Sequence, residues 1–190
     1  MPKITLDGIT LNYQIDGNPS GAPLVFANSL GTDLRLWDPI MDLLPKDLKV
    51  VRYDMRGHGA SEVPEPPYSM GALVRDVEQL LDHLDVRDCF FVGLSIGGMV
   101  AQGLAVKRLD LVRVMVLSNT GAKIGTAEIW NDRIEAIRTG GLAAVTDPTM
   151  ERWFTKAFRS TPDLEYWRNM MLSTPVDGYV GCANACLLYT

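Results

Sequence analysis

The chain alternates short, mainly apolar runs with longer segments in which apolar residues recur at helical spacing. The short runs are bounded by turn residues and predict buried strands. These predicted strands are Pro23–Ala27, Lys49–Tyr53, Cys89–Val92 and Val112–Leu117. Asp7-Gly8 lies between two further apolar segments and predicts a hairpin at the start of the sheet.

The helical spacing is clearest after Ser69, where a single apolar stripe predicts a helix that faces the core. The stripe consists of Met70, Leu73, Val74, Val77, Leu80, Leu81 and Leu84. Residues 37–44 predict a short helix, and a third helix is expected to open at about Ile96. Strands that alternate with helices predict an α/β fold, with a mostly parallel sheet covered by helices on both faces.

After Gly121 the strand pattern stops and aromatic helical segments follow. Their stripes are Ala127, Trp130, Ile134 and Ile137; then Met150, Trp153, Phe154, Ala157 and Phe158; then Leu164, Trp167 and Met171. Gly140-Gly141, Pro148, Pro162 and Pro175 are expected to separate these segments, and most of the aromatic residues are expected to be core. We therefore divide the chain into part of a core, residues 1–120, and a helical cap region, residues 121–190.

The composition restricts the classes of partner. The 190 residues carry a net charge of −5, which argues against binding to nucleic acid or to an anionic membrane. No apolar run is long enough to span a membrane, and Met1-Pro2-Lys3 does not open a signal peptide. Three cysteines without framework spacing favour a reducing compartment. We expect a cytoplasmic protein with no metal site.

The sequence Gly93-Leu94-Ser95-Ile96-Gly97 lies between an apolar strand and a helix, which is typical of a nucleophile elbow. The two glycines flank the serine at the point where strand and helix nearly touch, so a side chain at either position would collide with backbone. Ser95 Oγ would lie at a helix N-terminus, where the dipole and unpaired N–H groups stabilise an oxyanion. We predict that Ser95 is a catalytic nucleophile.

A nucleophilic serine needs a base, and no histidine follows Ser95 in the chain. His58 lies in a turn upstream, where it is more typical of a residue that shapes a loop than of a base. His83 falls on the polar face of the predicted helix and is expected to be solvated. The segment Ser118-Asn119, after the last predicted strand, offers no carboxylate.

Four segments resemble one family, the 3-oxoadipate enol-lactonases of the α/β-hydrolase fold. The elbow and the turn 53–61 (Tyr-Asp-Met-Arg-Gly-His-Gly-Ala-Ser) are only moderately specific, because they occur across the superfamily. The loop 28–33 (Asn-Ser-Leu-Gly-Thr-Asp) and the cap entry 122–131, which contains Lys-Ile-Gly-Thr and Trp-Asn, are far more specific. The resemblance covers roughly residues 1–185.

The resemblance implies a serine hydrolase of the β-ketoadipate pathway of aromatic degradation, which needs no cofactor. Ser95 would attack the ring carbonyl of a small lactone, and the backbone N–H groups of Leu30 and Ile96 would form the oxyanion hole. The substrate is expected to be a small dianion, so the cap needs a cation beside Trp130, which is predicted to bind the substrate. Arg133, three residues further along the same helix, is the candidate, with a solvated surface arginine as the alternative reading. Weaker candidates are Arg152, Arg159 and Arg168.

Family members continue through two more strands, which carry an aspartate and a histidine of the catalytic triad. The residues 186–190 no longer resemble the family, so we expect a C-terminally shortened copy that lacks these strands. The strand Val112–Leu117, apolar on both faces, would then lie at the edge of the sheet. Such an edge favours self-association.

Two alternatives remain open. In the first, the chain is not a catalyst but a non-catalytic fragment or a ligand-binding remnant. The second keeps the fold and changes the reaction to that of another small-ester serine esterase or a cofactor-free peroxidase. Turnover of lactones against simple esters would separate these readings.

Overall fold

The computed structural model describes residues 2–188. Met1 and the last two residues of the predicted cap region, Tyr189 and Thr190, lie outside the described residues. The strands are β1 (Lys3–Leu6), β2 (Ile9–Gly17), β3 (Pro23–Ala27), β4 (Lys49–Tyr53), β5 (Cys89–Leu94) and β6 (Val112–Ser118).

These strands form one sheet in the order β1-β2-β4-β3-β5-β6. β1 and β2 form the predicted hairpin, with Gly8 in the left-handed region at φ +85°. β2 pairs antiparallel with β4, and the remaining three pairings are parallel. The mostly parallel sheet confirms the predicted α/β class.

The α-helices of the described residues are α1 (Asp38–Met41), α2 (Met70–His83), α3 (Ile96–Lys107), α4 (Ala127–Gly140), α5 (Ala143–Trp153), α6 (Lys156–Arg159), α7 (Leu164–Leu172) and α8 (Val176–Leu187). Side-chain caps fix two of the longer helices at their N-termini. Ser69 Oγ accepts the Ala72 N–H at the start of α2, and Thr126 Oγ1 accepts the Ile129 N–H at the start of α4.

Three helical segments differ from the prediction. Of residues 37–44 only the single turn α1 is α-helical, and a 3₁₀ turn, Leu34–Trp37, precedes it. Pro148 does not separate two helices but lies inside α5, where buried neighbours such as Met150 offset the lost hydrogen bond. The stripe 150–158 is also not one helix, because Phe154 is extended and Thr155 caps a new turn, α6.

The two faces of the sheet are covered unequally. On one face Val25, Val51 and Phe91 join the main core beneath α2 and α3. On the other face a small cluster around Phe26 and Trp37 covers only the middle of the sheet. The strand β6 lies at the sheet edge, and all of its residues from 113 to 117 are exposed.

The last helix, α8, contacts the predicted core as well as the cap helix α4. Its backbone meets the turn after β4 so closely that a side-chain carbon on Gly178 would lie 2.5 Å from Gly57 Cα. The Tyr68 N–H also donates to the Gly181 carbonyl at 3.2 Å. The division of the chain at residue 120 stays a prediction.

Candidate active site

Ser95 lies at the junction of β5 and α3 in a conformation that a non-glycine residue rarely adopts. Its backbone has φ +55° and ψ −119°. The Ser95 N–H donates to the Ser118 carbonyl at 3.0 Å, and its carbonyl accepts the Thr120 hydroxyl at 2.6 Å. The segment at the end of β6 thus holds the serine at the apex of the turn.

The glycines on either side of Ser95 allow strand and helix to approach this closely. A Cβ on Gly93 would lie 2.6 Å from Gly98 Cα, and a Cβ on Gly97 would lie 2.7 Å from the Asn28 carbonyl oxygen. Neither position has room for a side chain. This is the geometry that the elbow spacing predicted.

The loop 28–33 follows β3 and is held from several sides. Asn28 Nδ2 donates to the Tyr53 carbonyl at 2.8 Å, and Asn28 Oδ1 accepts the Trp37 indole N–H at 2.7 Å. The Gly31 N–H donates to His58 Nε2 at 3.0 Å. These bonds fix the backbone on both sides of Leu30, the residue whose N–H we assign to the oxyanion hole.

His58 is fully buried, and this burial lowers its pKa to about 4. Its Nδ1 lies 3.2 Å from the Arg56 carbonyl, so the neutral ring with its proton on Nδ1 donates there and accepts at Nε2. Both ring nitrogens are therefore engaged: Nε2 holds the loop 28–33, and Nδ1 is bonded within the turn 53–61. His83, the second histidine, is exposed at the end of α2 and does not line the cavity described next.

A cavity of about 620 Å³ opens beside Ser95, between the sheet and the cap helices. Its lining contains no aspartate or glutamate among the described residues. The lining residues are Ser29, Leu30, Thr32, Leu36, Leu94, Ser95, Asn119, Ile124, Gly125, Ile129, Trp130, Arg133, Arg152, Trp153, Phe154, Trp167 and Tyr179.

The cavity brings together four of the five predicted site residues: Ser95, Leu30, Trp130 and Arg133. Ile96 is buried and does not line the cavity, but its predicted contribution comes from its backbone. As the first residue of α3 it has an N–H without a partner inside the helix.

Arg133 is held at the cavity wall by neutral partners. Its Nε donates to the Tyr179 hydroxyl at 2.7 Å and its Nη2 donates to Thr149 Oγ1 at 2.6 Å. Its guanidinium carbon also lies 5.6 Å from the centre of the Tyr179 ring. Neither partner is a carboxylate, so no acidic side chain within residues 2–188 is seen to neutralise the charge of Arg133.

Of the three weaker arginine candidates, only Arg152 lines the cavity. Arg159 pairs with Glu151, and Arg168 pairs with Asp147 and Glu165. The pKa of Arg152 is lowered, first by burial and then by repulsion from Arg133.

Three aromatic residues that the sequence assigned to the core also line the cavity: Trp153, Phe154 and Trp167. Phe154 packs between the others, with its ring centre 5.7 Å from that of Trp167. A signal for this role was the density of large aromatic residues from the end of α5 to α7. Periodicity alone does not distinguish a helix face that packs on protein from one that faces a cavity.

Within residues 2–188, no group of three or more histidine, cysteine or acidic side chains is placed to hold a metal ion. No helix in the same range has the length and apolar character that a membrane span demands.

Comparison with known proteins shows to which class of protein this chain belongs. Residues 22–142 match the family model of the alpha/beta hydrolase fold. The enol-lactonase of Burkholderia xenovorans LB400 superposes with a TM-score of 0.94 at 38% identity, over 98% of this chain and 73% of that one. The chain therefore belongs to the α/β-hydrolase family.

Two relatives from Acinetobacter baylyi narrow the class. The 3-oxoadipate enol-lactonase 2 is 35% identical over 184 residues, which cover 96% of this chain and 69% of the relative. The 3-oxoadipate enol-lactonase 1 is 38% identical over 181 residues, which cover 94% of this chain and 66% of that relative. Within the α/β hydrolases the chain belongs to the 3-oxoadipate enol-lactonases and spans about two thirds of their length. This kinship places it among hydrolases of esters and lactones.

Proposed function

We propose that this chain carries the nucleophile, the oxyanion hole and the substrate pocket of a 3-oxoadipate enol-lactone hydrolase. The observation that carries the proposal is the strained Ser95, which lies at a cavity whose described lining contains cationic side chains and no acidic one. The same kinship supports a cytoplasmic role in the β-ketoadipate pathway of aromatic degradation.

In the proposed reaction Ser95 Oγ attacks the ring carbonyl of the lactone and gives its proton to a base. The carbonyl oxygen becomes an oxyanion, which accepts hydrogen bonds from the Leu30 and Ile96 N–H groups. The ring C–O bond then breaks, and the leaving enolate takes up a proton on carbon, so that its oxygen becomes the ketone oxygen. Water hydrolyses the acyl-serine and releases 3-oxoadipate.

The cavity lining supports a substrate with this charge. Closing 3-oxoadipate into its enol-lactone uses one of the two carboxyl groups, so the lactone keeps a single carboxylate and is not the dianion expected from the sequence. Arg133 offers a guanidinium that has no carboxylate partner in the described part of the chain, and Trp130 forms part of the same cavity wall. A charge-assisted bond to the free carboxylate would orient the ring toward Ser95.

Neither histidine within residues 2–188 is placed to act as the base, because both nitrogens of His58 are engaged and His83 does not line the cavity. The family resemblance implies a histidine and an aspartate on two further strands. We therefore expect the 190-residue chain alone to open the lactone only very slowly.

The test uses this chain fused to the unmatched C-terminal segment of the Acinetobacter enol-lactonase 2. The fusion should hydrolyse the lactone, and Ser95→Ala in the same fusion should lower turnover by about a million-fold. Retention of more than one percent of turnover by the Ser95→Ala fusion would reject Ser95 as the nucleophile.

A further inference from the structure

The cavity holds a second guanidinium whose role in the proposed reaction is not assigned. Arg152 lies near the end of α5 and lines the cavity together with Arg133 of α4. Among residues 2–188 it makes neither a hydrogen bond nor an ion pair with protein. The neighbouring cap cations Arg159 and Arg168, by contrast, are both paired with acidic side chains.

The fold brings the two cavity arginines toward one another. Arg133 Nη2 donates to Thr149 Oγ1 at 2.6 Å, and Thr149 precedes Arg152 by three residues on α5. Residues three apart lie on the same face of a helix. Arg152 therefore projects from the face of α5 on which Arg133 is anchored.

Two like charges at one cavity wall repel each other, and this arrangement is unfavourable unless a ligand supplies the opposite charge. No acidic side chain of the described lining does so. Partial burial and the charge of Arg133 both lower the pKa of Arg152, although the residue as a whole is exposed to solvent. An anion bound between the two guanidiniums would relieve this repulsion.

We propose that Arg152 and Arg133 together bind one carboxylate of the substrate, so that Arg152 is a second residue that determines specificity. The inference rests on the proposed function. The lactone has a single free carboxylate, and its reacting carbonyl must lie at Ser95 on the core side of the cavity. Both arginines lie on cap helices, so they face the other end of the ligand.

Binding can be measured without turnover, because Trp130, Trp153 and Trp167 line the cavity and report a ligand by fluorescence. The test uses the 190-residue chain with Ser95→Ala, titrated with the enol-lactone and with its neutral methyl ester. Arg152→Gln is added to this background, and Arg138→Gln, an exposed arginine of α4 outside the cavity, is the matched control.

We expect Arg152→Gln to weaken lactone binding by roughly tenfold, the range of a charge-assisted hydrogen bond, and to change methyl-ester binding less than twofold. Arg152→Lys should recover part of the loss. Unchanged lactone binding, or equal losses for lactone and ester, would overturn the role of Arg152 and leave the proposed function intact. If the arginine-intact protein binds the lactone no better than the ester, both proposals fail.

Discussion

Ser95 and its two flanking glycines show how single residues define the candidate active site. The serine has a positive φ because the strand must turn at once into α3, and the glycines leave room for this turn. Strain of this kind costs of order 1–3 kcal/mol and persists only when the surrounding structure enforces it. Here the end of β6 enforces it through bonds to both backbone groups of Ser95.

Gly93→Ala should therefore destabilise the fold by at least about 2 kcal/mol, because its Cβ would overlap the start of α3. The control is Gly71→Ala on α2, where the nearest atom to a new Cβ is Ser69 Oγ at 3.8 Å. Alanine is the better helix former, so this control should be neutral or slightly stabilising. Urea unfolding measures both variants, and equal stabilities would contradict the close approach at the elbow.

His58 gives the protein a predictable dependence of stability on pH. Its pKa is about 4 in the folded state against about 6.5 when unfolded, so the unfolded chain binds the proton more readily. Its neutral ring therefore contributes fully above about pH 6.5, and the contribution is lost as the pH falls toward 4. The full loss is about 3 kcal/mol.

The measurement is the difference in free energy of unfolding between the wild type and His58→Gln from pH 7 to pH 4. A glutamine keeps an acceptor for the Gly31 N–H without titrating, so the difference should shift against the wild type as the pH falls. His83→Gln, at the exposed end of α2, is the control. Parallel curves for wild type and His58→Gln would show that His58 is not held neutral.

Among the elements, the strands were easier to predict than the cap. Apolar runs between turn residues mark the strands β3, β4, β5 and β6. Each run is short and continuous, so its pattern can be recognised without knowledge of the rest of the fold. The cap depends on which helix face meets a cavity, and the sequence pattern does not contain that information. The break at Phe154 and the helical Pro148 both arise from packing between cap segments.

The edge strand β6 leads to a prediction about association. Val114 and Val116 are 45% and 52% exposed on one of its faces, next to the exposed Phe90 of β5. Open apolar edges recruit further strands, so we expect the chain to self-associate through β6. Val116→Lys should shift the chain toward the monomer in sedimentation velocity. The control Leu43→Lys, 80% exposed in the turn after α1 and outside the sheet, should not, and equal behaviour of the two would place the contact elsewhere.

For the whole molecule, the sequence was sufficient to predict the α/β-hydrolase fold and four residues that meet at the cavity. The sequence was less informative about Arg152, because the partners of an arginine side chain depend on which acidic side chains lie near it in the folded chain. The roles of Ser95, Leu30, Ile96, Trp130 and Arg133 remain predictions that the geometry supports.

The expected self-association and the expected lack of turnover have one common cause if a further segment normally covers β6 and also supplies the base. Fusion to the C-terminal segment of the Acinetobacter relative should then give a protein that is both more soluble and active. Solubility without turnover would separate the two effects and argue against a base supplied by that segment.

The most direct measurement is mass spectrometry of this fusion, quenched with acid during hydrolysis of the enol-lactone. We expect a transient increase in the mass of the protein that equals the mass of the lactone. This increase should be located on the peptide that contains Ser95 and should be absent from the Ser95→Ala fusion. An adduct on another residue, or continued turnover by Ser95→Ala, would contradict it.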